Sequence, residues 1–180
     1  LAWSCPANAG VGIPSKYDSL IESSVSRWWP RVPLADWRFW KAQLYQESLL
    51  DPDAVSPVGA CGLAQFMPGT WSDVSQRMGL GAASPYNAKS AINAGAYYMA
   101  RLYLSWSAPR PDMDRWDLAR ASYNAGMGNL LKAQRVAGGA NRYAEIIAAL
   151  PAVTGHHSRE TITYVQRIHE IYRRLTCSRR

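Results

Sequence analysis

The chain has 180 residues, a hydrophobic fraction of 48% and a formal net charge of +7 at pH 7. That length is enough for one domain with a sizeable core, and no apolar run reaches the length of a membrane span. The positive balance suits nucleic acid, an anionic surface or an acidic cell-wall polymer, but no Lys/Arg block interleaved with aromatics and no nucleic-acid motif is present, which sets nucleic acid aside.

Residues 1–15 carry Gly, Pro and Asn without periodicity and read as an N-terminal arm. The chain begins at Leu1 rather than Met, which fits processing or trimming at that end and is compatible with an upstream signal segment. Tyr17, Leu20, Ile21, Val25 and Trp28 have helical spacing, predicting a helix over Lys16–Trp29 that Pro30 ends. Pro33 then suits the first turn of a second helix over Leu34–Leu49.

At 100° per residue, Trp37, Trp40, Leu44 and Glu47 of this second helix share an arc of roughly 80°. Phe39, Ala42 and Leu49 lie elsewhere around the axis, so the helix is expected to be largely enclosed. Glu47 therefore continues an aromatic and aliphatic stripe, where desolvation would raise a carboxyl pKa and suit it to general-acid work. A Glu at a helix end whose head simply reaches solvent is the plainer alternative.

Asp51-Pro52-Asp53 stops the helix, because the residue before proline is pushed out of the α region. Asp51 and Asp53 read as turn and cap residues. Ser56-Pro57-Val58-Gly59 is a turn, and Gly62 allows a close backbone approach. Leu63–Met67 alternates loosely in polarity and is expected to be a short extended segment, with Gln65 opposite Ala64 and Phe66. Pro68-Gly69-Thr70 opens a helix to about Met78.

Asn87 is placed to cap a helix running to about Trp106, with Ile92, Ala96, Met99, Leu102 or Tyr103, and Trp106 buried. Further helices are expected over Asp114–Ala125, ended by Gly126, and over Gly128–Val136 and Arg142–Leu150. Pro151–His157 reads as a loop. A last helix, Ser158–Leu175, is expected to turn Ile162, Val165, Ile168 or His169, Tyr172 and Leu175 inward. The fold class is therefore mainly α, with about eight helices and little strand.

Eight Trp and ten Tyr stand against two Phe. Most should be core, while a few would suffice to stack on sugar rings. Cys5 and Cys177 bracket almost the whole chain. A bridge between them is the expected pairing, worth about 5 kcal/mol in the chain-entropy picture, and it implies an oxidising compartment. Three reduced thiols is the alternative, and Cys61 reads as a small packed residue.

The motifs that are missing narrow the chemistry. There is no nucleophile elbow, P-loop or dinucleotide fingerprint. His156, His157 and His169 lack metal-site spacing, so no metal and no cofactor is expected. A thiol nucleophile at Cys61 lacks an evident base. Carboxylate chemistry with one well-placed Glu remains.

Four segments taken together resemble the catalytic domain of family 1 lytic transglycosylases, the soluble type related to goose-type lysozyme. They are Glu47-Ser48; Ser56–Ala60 running into Gly62-Leu63-Ala64-Gln65-Phe66-Met67-Pro68-Gly69-Thr70; Ser122-Tyr123-Asn124-Ala125-Gly126; and Glu160 with Tyr164-Val165. The resemblance covers about 33–175. It implies a single lysozyme-like domain, α+β with a minimal sheet, whose helices surround a substrate groove. It also implies that Glu47 is the sole catalytic acid/base, and that Ser56, Gln65, Met67, Tyr123, Asn124, Glu160 and Tyr164 line the sugar site.

The substrate implied is the peptidoglycan glycan strand, cut between N-acetylmuramic acid and N-acetylglucosamine to leave a 1,6-anhydro sugar. One carboxylate suffices because the attacking hydroxyl belongs to the substrate. A hydrolytic muramidase, with Asp51, Asp53, Asp73 or Glu160 helping to place water, and a non-catalytic wall-binding protein are the alternatives. For Gln65, Tyr123 and Glu160, structural hydrogen bonds that hold the motif loops together are a substantial alternative role. The expected setting is periplasmic or extracellular, with a phage-borne enzyme included, acting as a monomer. A chain this short without an evident accessory domain fits a compact secreted or phage enzyme.

Overall fold

The first predicted helix forms, but it starts at Asp18, whose amide closes a turn onto the Ser15 carbonyl at 3.0 Å. In the computed structural model, which describes residues 12–29 and 32–177, α1 is Asp18–Trp28 and α2 is Trp37–Ser48. Helix α2 does not begin at Pro33. Leu34 takes φ 59°, and the Asp36 side chain accepts a hydrogen bond from the Arg38 amide, so the helix starts three residues beyond the proline-based expectation. Cys5, and with it the expected Cys5–Cys177 pairing, lies outside the described residues.

Helix α3 is Pro68–Arg77 and α4 is Ala88–Ser105, whose first turn is closed by the Asn87 side chain accepting from the Ser90 amide at 2.9 Å. Then follow α5 (Asp112–Ala125), α6 (Met127–Val136), α7 (Tyr143–Ala149), α8 (Pro151–Thr154) and α9 (Ser158–Cys177). Pro151–His157 is thus not an open loop. Pro151 supplies the first position of a one-turn helix, and a 3-10 turn, Gly155–His157, leads directly into α9. Among the described residues, strand pairing is confined to isolated antiparallel bridges, Val55 with Cys61 and Cys61 with Phe66.

The chain divides into two compact units. One comprises 12–29, 35–98 and 168–177 of the described residues, and the other comprises Val32–Leu34 with Met99–Arg167. Helices α4 and α9 each contribute residues to both.

In the first unit, tryptophans of α1 and α2 brace the first half of α4. The Trp28 indole donates to the Asn93 side chain at 2.7 Å, Trp29 to the Ala96 carbonyl at 2.8 Å and Trp40 to the Ile92 carbonyl at 3.2 Å. Trp40 fits only because position 95 is glycine, where a Cβ would fall 2.4 Å from its ring. Phe39 stacks on Tyr172 with ring centroids 3.6 Å apart, and the Tyr172 hydroxyl donates to Asp36 at 2.9 Å. Burial works to raise the Asp36 pKa, but the hydrogen bonds from Arg38 and Tyr172 outweigh it and hold the carboxyl below its ordinary range. Lys41, almost fully buried, pairs with Asp18 at 2.6 Å.

In the second unit, Met99, Leu102 and Tyr103 of α4 and Trp106 just past its end are buried, as are Trp116, Leu118 and Ala121 of α5. The buried stripe expected on α4 is therefore observed in full, since Ile92 and Ala96 are also enclosed. The stripe on α9 is shifted. Ser158, Thr161, Tyr164, Val165, Ile168 and Ile171 are the buried positions, whereas Ile162, Tyr172 and Leu175 are half-buried. Four tryptophans, Trp29, Trp40, Trp106 and Trp116, are buried, while Trp28, Trp37 and Trp71 are half-buried.

Candidate functional site

The eight expected site residues fall into two sets. Glu47, Ser56, Gln65 and Met67 belong to the first unit, and Tyr123, Asn124, Glu160 and Tyr164 to the second. Each set is built by its own local chemistry.

Glu47 lies half-buried in the last turn of α2, on the same stripe as Trp40 and Leu44, which are fully enclosed. The helix ends two residues later because Leu49 takes φ 57° and its amide closes onto the Tyr45 carbonyl at 2.9 Å. Leu49 itself is exposed, so the enclosure expected of α2 holds for Phe39 through Leu44 and ends there. Beside Glu47, the Ser48 hydroxyl donates to the Leu63 carbonyl at 2.8 Å. That bond fastens the end of the helix to the following loop.

The loop is held by its own polar groups. Asp51 accepts from the Asp53 amide at 2.9 Å, the turn role expected of it. Gly59 closes a turn onto the Ser56 carbonyl, and the Ser56 hydroxyl oxygen accepts from the Ala60 amide, both at 2.9 Å. Leu63–Met67 is not an extended segment. Cys61 and Phe66 exchange backbone hydrogen bonds at 2.9 and 3.0 Å, and the residues between them make a tight turn. Gln65 takes φ 46° in that turn, and its side-chain amide donates to the Gly62 and Ala54 carbonyls at 2.9 and 3.2 Å. Leu63, Ala64 and Phe66 are thereby driven inside, while Met67 is 44% exposed.

Gly62, at φ 71°, supplies the close approach expected of it, since a Cβ there would stand 2.1 Å from the Pro85 carbonyl oxygen. The next residue, Tyr86, donates its hydroxyl to the Cys61 sulfur at 3.2 Å, and that hydrogen bond raises the phenol pKa. Cys61 is half-buried at the centre of the two bridges, so it does more than fill space.

In the second unit, α5 ends at Tyr123-Asn124-Ala125, and Gly126 at φ 83° stops it as expected. Ser122 is fully buried, accepting from the Trp106 indole at 3.1 Å and donating to the Leu118 carbonyl at 2.7 Å. Arg120, equally buried, pairs with Asp117 at 2.7 Å. Burial lowers the arginine's pKa, and Asp117 opposes that shift.

Asn124 joins α5 to the first turn of α9. Its side-chain oxygen accepts from the Thr161 hydroxyl at 2.8 Å, and its nitrogen stands 3.5 Å from a Glu160 carboxylate oxygen. Glu160 is exposed, and Tyr164, one turn on, is buried. Asn124, Asn129, His157, Glu160 and Thr161 border a surface cavity of about 330 Å³. Thr161 was not legible as part of this set. Its neighbour Glu160 is the only cue, and its partner lies 37 positions away. Among the described residues, no group of three or more His, Cys, Asp or Glu is placed to hold a metal.

Residues 34–146 match the family model described as the transglycosylase SLT domain. A membrane-bound lytic murein transglycosylase F from Idiomarina loihiensis is 34% identical over 152 residues, which is 76% of this chain and 32% of that protein. The crystal structure of the 70-kDa soluble lytic transglycosylase from Escherichia coli superposes with a TM-score of 0.65 at 25% identity, covering 91% of this chain and 25% of that one. A complex of the 70-kDa soluble lytic transglycosylase with bulgecin A gives a TM-score of 0.63 at 25% identity, covering 89% of this chain and 24% of that one. The chain thus spans about a third of the curated relative and a quarter of the solved structures, and shares their mainly helical, lysozyme-like fold.

Proposed function

The chain belongs to the transglycosylase SLT domain family, and from that premise we propose that it cleaves the β-1,4 bond between N-acetylmuramic acid and N-acetylglucosamine in peptidoglycan without water. Glu47 protonates the glycosidic oxygen as the bond breaks. Its carboxylate then takes the proton from the muramic 6-hydroxyl, which attacks the anomeric carbon of its own sugar. The products are a 1,6-anhydromuramyl end and a free 4-hydroxyl on the departing sugar, and Glu47 regains its starting form.

The observation that carries this reading is the placing of Glu47. It closes an otherwise apolar helix stripe and is followed directly by Ser48, which is hydrogen-bonded to the carbonyl of Leu63 in the motif loop. A fixed carboxylate needs no second acid when the nucleophile is internal, because an intramolecular hydroxyl has a large effective molarity. Ser56, Gln65 and Met67 of the first unit, with Ser56 and Gln65 acting through the loop they hold, and Tyr123, Asn124, Glu160 and Tyr164 of the second are each proposed as glycan-binding residues.

The chain is read as one catalytic domain, working as a monomer on glycan strands in the periplasm or outside the cell, with Cys5 and Cys177 paired there. No helix among the described residues is long and apolar enough to cross a membrane. Mass spectrometry of muropeptides released from purified sacculi is the test. Anhydro ends that vanish in Glu47→Gln are expected. Reducing muramic ends would make the enzyme a hydrolase, and no release at all would defeat the reading.

A further inference from the structure

Asn124 is the one expected site residue whose side-chain amide is held from both ends by groups of its own unit. A carboxylate only accepts hydrogen bonds, so the amide nitrogen must lie on the Glu160 side, at 3.5 Å. The amide oxygen is left to the Thr161 hydroxyl, which donates to it at 2.8 Å. Thr161 is 3% exposed, so water does not compete for that bond. The long contact to Glu160 leaves the amide nitrogen with hydrogen-bonding capacity, since it carries two N–H groups.

We infer that Thr161 is a positioning residue that fixes the polarity of Asn124, so that Asn124 meets the substrate only as a hydrogen-bond donor and selects a glycan acetamido carbonyl. The inference rests on the proposed reading of Asn124 as lining the glycan site. Neighbouring groups on the cavity agree with a divided polarity. The Asn129 side-chain nitrogen spends one of its two N–H groups on the Ala125 carbonyl at 2.9 Å and the Thr154 hydroxyl donates to the Leu150 carbonyl at 3.3 Å, so each also presents an acceptor oxygen. Asn124 is therefore an amide whose donor side is held in place by Thr161, on a wall that also presents acceptors. Without the Thr161 hydroxyl, only the long 3.5 Å contact to Glu160 would bias the amide, and Asn124 would more often turn its oxygen on the substrate carbonyl.

The test compares cleavage of native peptidoglycan with the same material N-deacetylated chemically, and with a re-acetylated portion as control. The wild type is expected to prefer the acetylated glycan, and Thr161→Val, isosteric but without the hydroxyl, to lose about ten-fold of that preference, the worth of roughly one hydrogen bond. Thr161→Ser should restore it. Asn124→Asp, which offers only acceptors, should lose it as well and tests the same polarity should Thr161→Val fail to fold.

A Thr161→Val enzyme that is slower but keeps the wild-type preference would reduce Thr161 to a structural role and overturn the inference. A wild type that cleaves both substrates equally would overturn it while leaving the function intact. A wild type that cleaves neither would overturn the proposed function and the inference with it.

Discussion

The loop after Glu47 and the Asn124–Thr161 pair carry two halves of one motif set, yet they are built in opposite ways. In the loop, side chains satisfy backbone within a few residues: Ser56 serves Ala60, and Gln65 serves Gly62 and Ala54. In the other unit, a side chain at the end of α5 is held by a side chain on α9, 37 positions away. The loop's hydrogen bonds are thus spent on its own shape, whereas Asn124 keeps donor capacity. A residue matched by a motif can therefore be committed to backbone in one place and keep hydrogen-bonding capacity in another.

The largest expected effect separates Glu47 from the scaffold around it. Glu47→Gln should cut anhydromuropeptide release by about 10³-fold or more, as expected when the only proton-transfer group is lost. Its melting temperature should stay near the wild type's, because the amide keeps the shape of the carboxyl. A similar loss of activity in Glu47→Gln with a collapse of the melting transition would make Glu47 part of the scaffold and erase the contrast.

Gly62→Ala tests the loop as architecture. A Cβ at φ 71° would enter the space of the Pro85 carbonyl oxygen, 2.1 Å away, and backbone cannot step aside as a flexible side chain would. A cost on the order of 2–4 kcal/mol is expected, combining strain with overpacking. Chemical denaturation should show it as a lower midpoint, and activity should fall in the same proportion as the folded loop. Normal stability in this variant would show that the loop tolerates being re-formed.

Gln65→Leu should act in the same direction but less, by about 1–2 kcal/mol, because two carbonyls lose their donor at a half-buried site. If this variant weakened substrate binding while leaving the denaturation midpoint unchanged, Gln65 would belong with Asn124 as a contact, and the two regions would be alike.

The contrast also explains what could be read in the sequence. Local rules recovered local devices: the Asn87 cap, the Gly126 stop, the close approach at Gly62 and the buried stripe of α4. They failed where a competing local choice won. Polar alternation in Leu63–Met67 suggested extension, but Gln65 takes a left-handed conformation stabilised by its own side chain, and the segment folds into a turn. Pro33 was read as a helix start, but Asp36 caps later and better. On α9, the inward line runs through Thr161, Tyr164 and Ile171 because Asn124 draws Thr161 to the inside, a pairing no periodicity encodes. Glu47 stands out in the sequence because its helix neighbours are apolar, whereas nothing local singles out Thr161, whose partner Asn124 lies 37 positions away.

The smallest expected effect lies at the far end of α2 from Glu47. Asp36 caps the helix, pairs with Arg38 at 2.7 Å and accepts from Tyr172 at 2.9 Å, with its pKa held down by those bonds against the opposing effect of burial. A carboxyl depressed below the ordinary 3.8 contributes stability above that pH and loses it as pH falls through the lower folded value. Asp36→Asn keeps an oxygen for the cap but loses the charge, and the group is partly exposed, so the expected cost at pH 7 is only about 0.5–1 kcal/mol. The gap between variant and wild type should narrow as pH falls below 3.8 and stay constant above it. Roughly 16 Å of helix separates this cap from Glu47, so kcat should be unchanged at any pH where both proteins are folded. A shift in the activity profile would mean that the cap and the Glu47 end of α2 are coupled, and that the rigidity of the helix helps to set the position of Glu47.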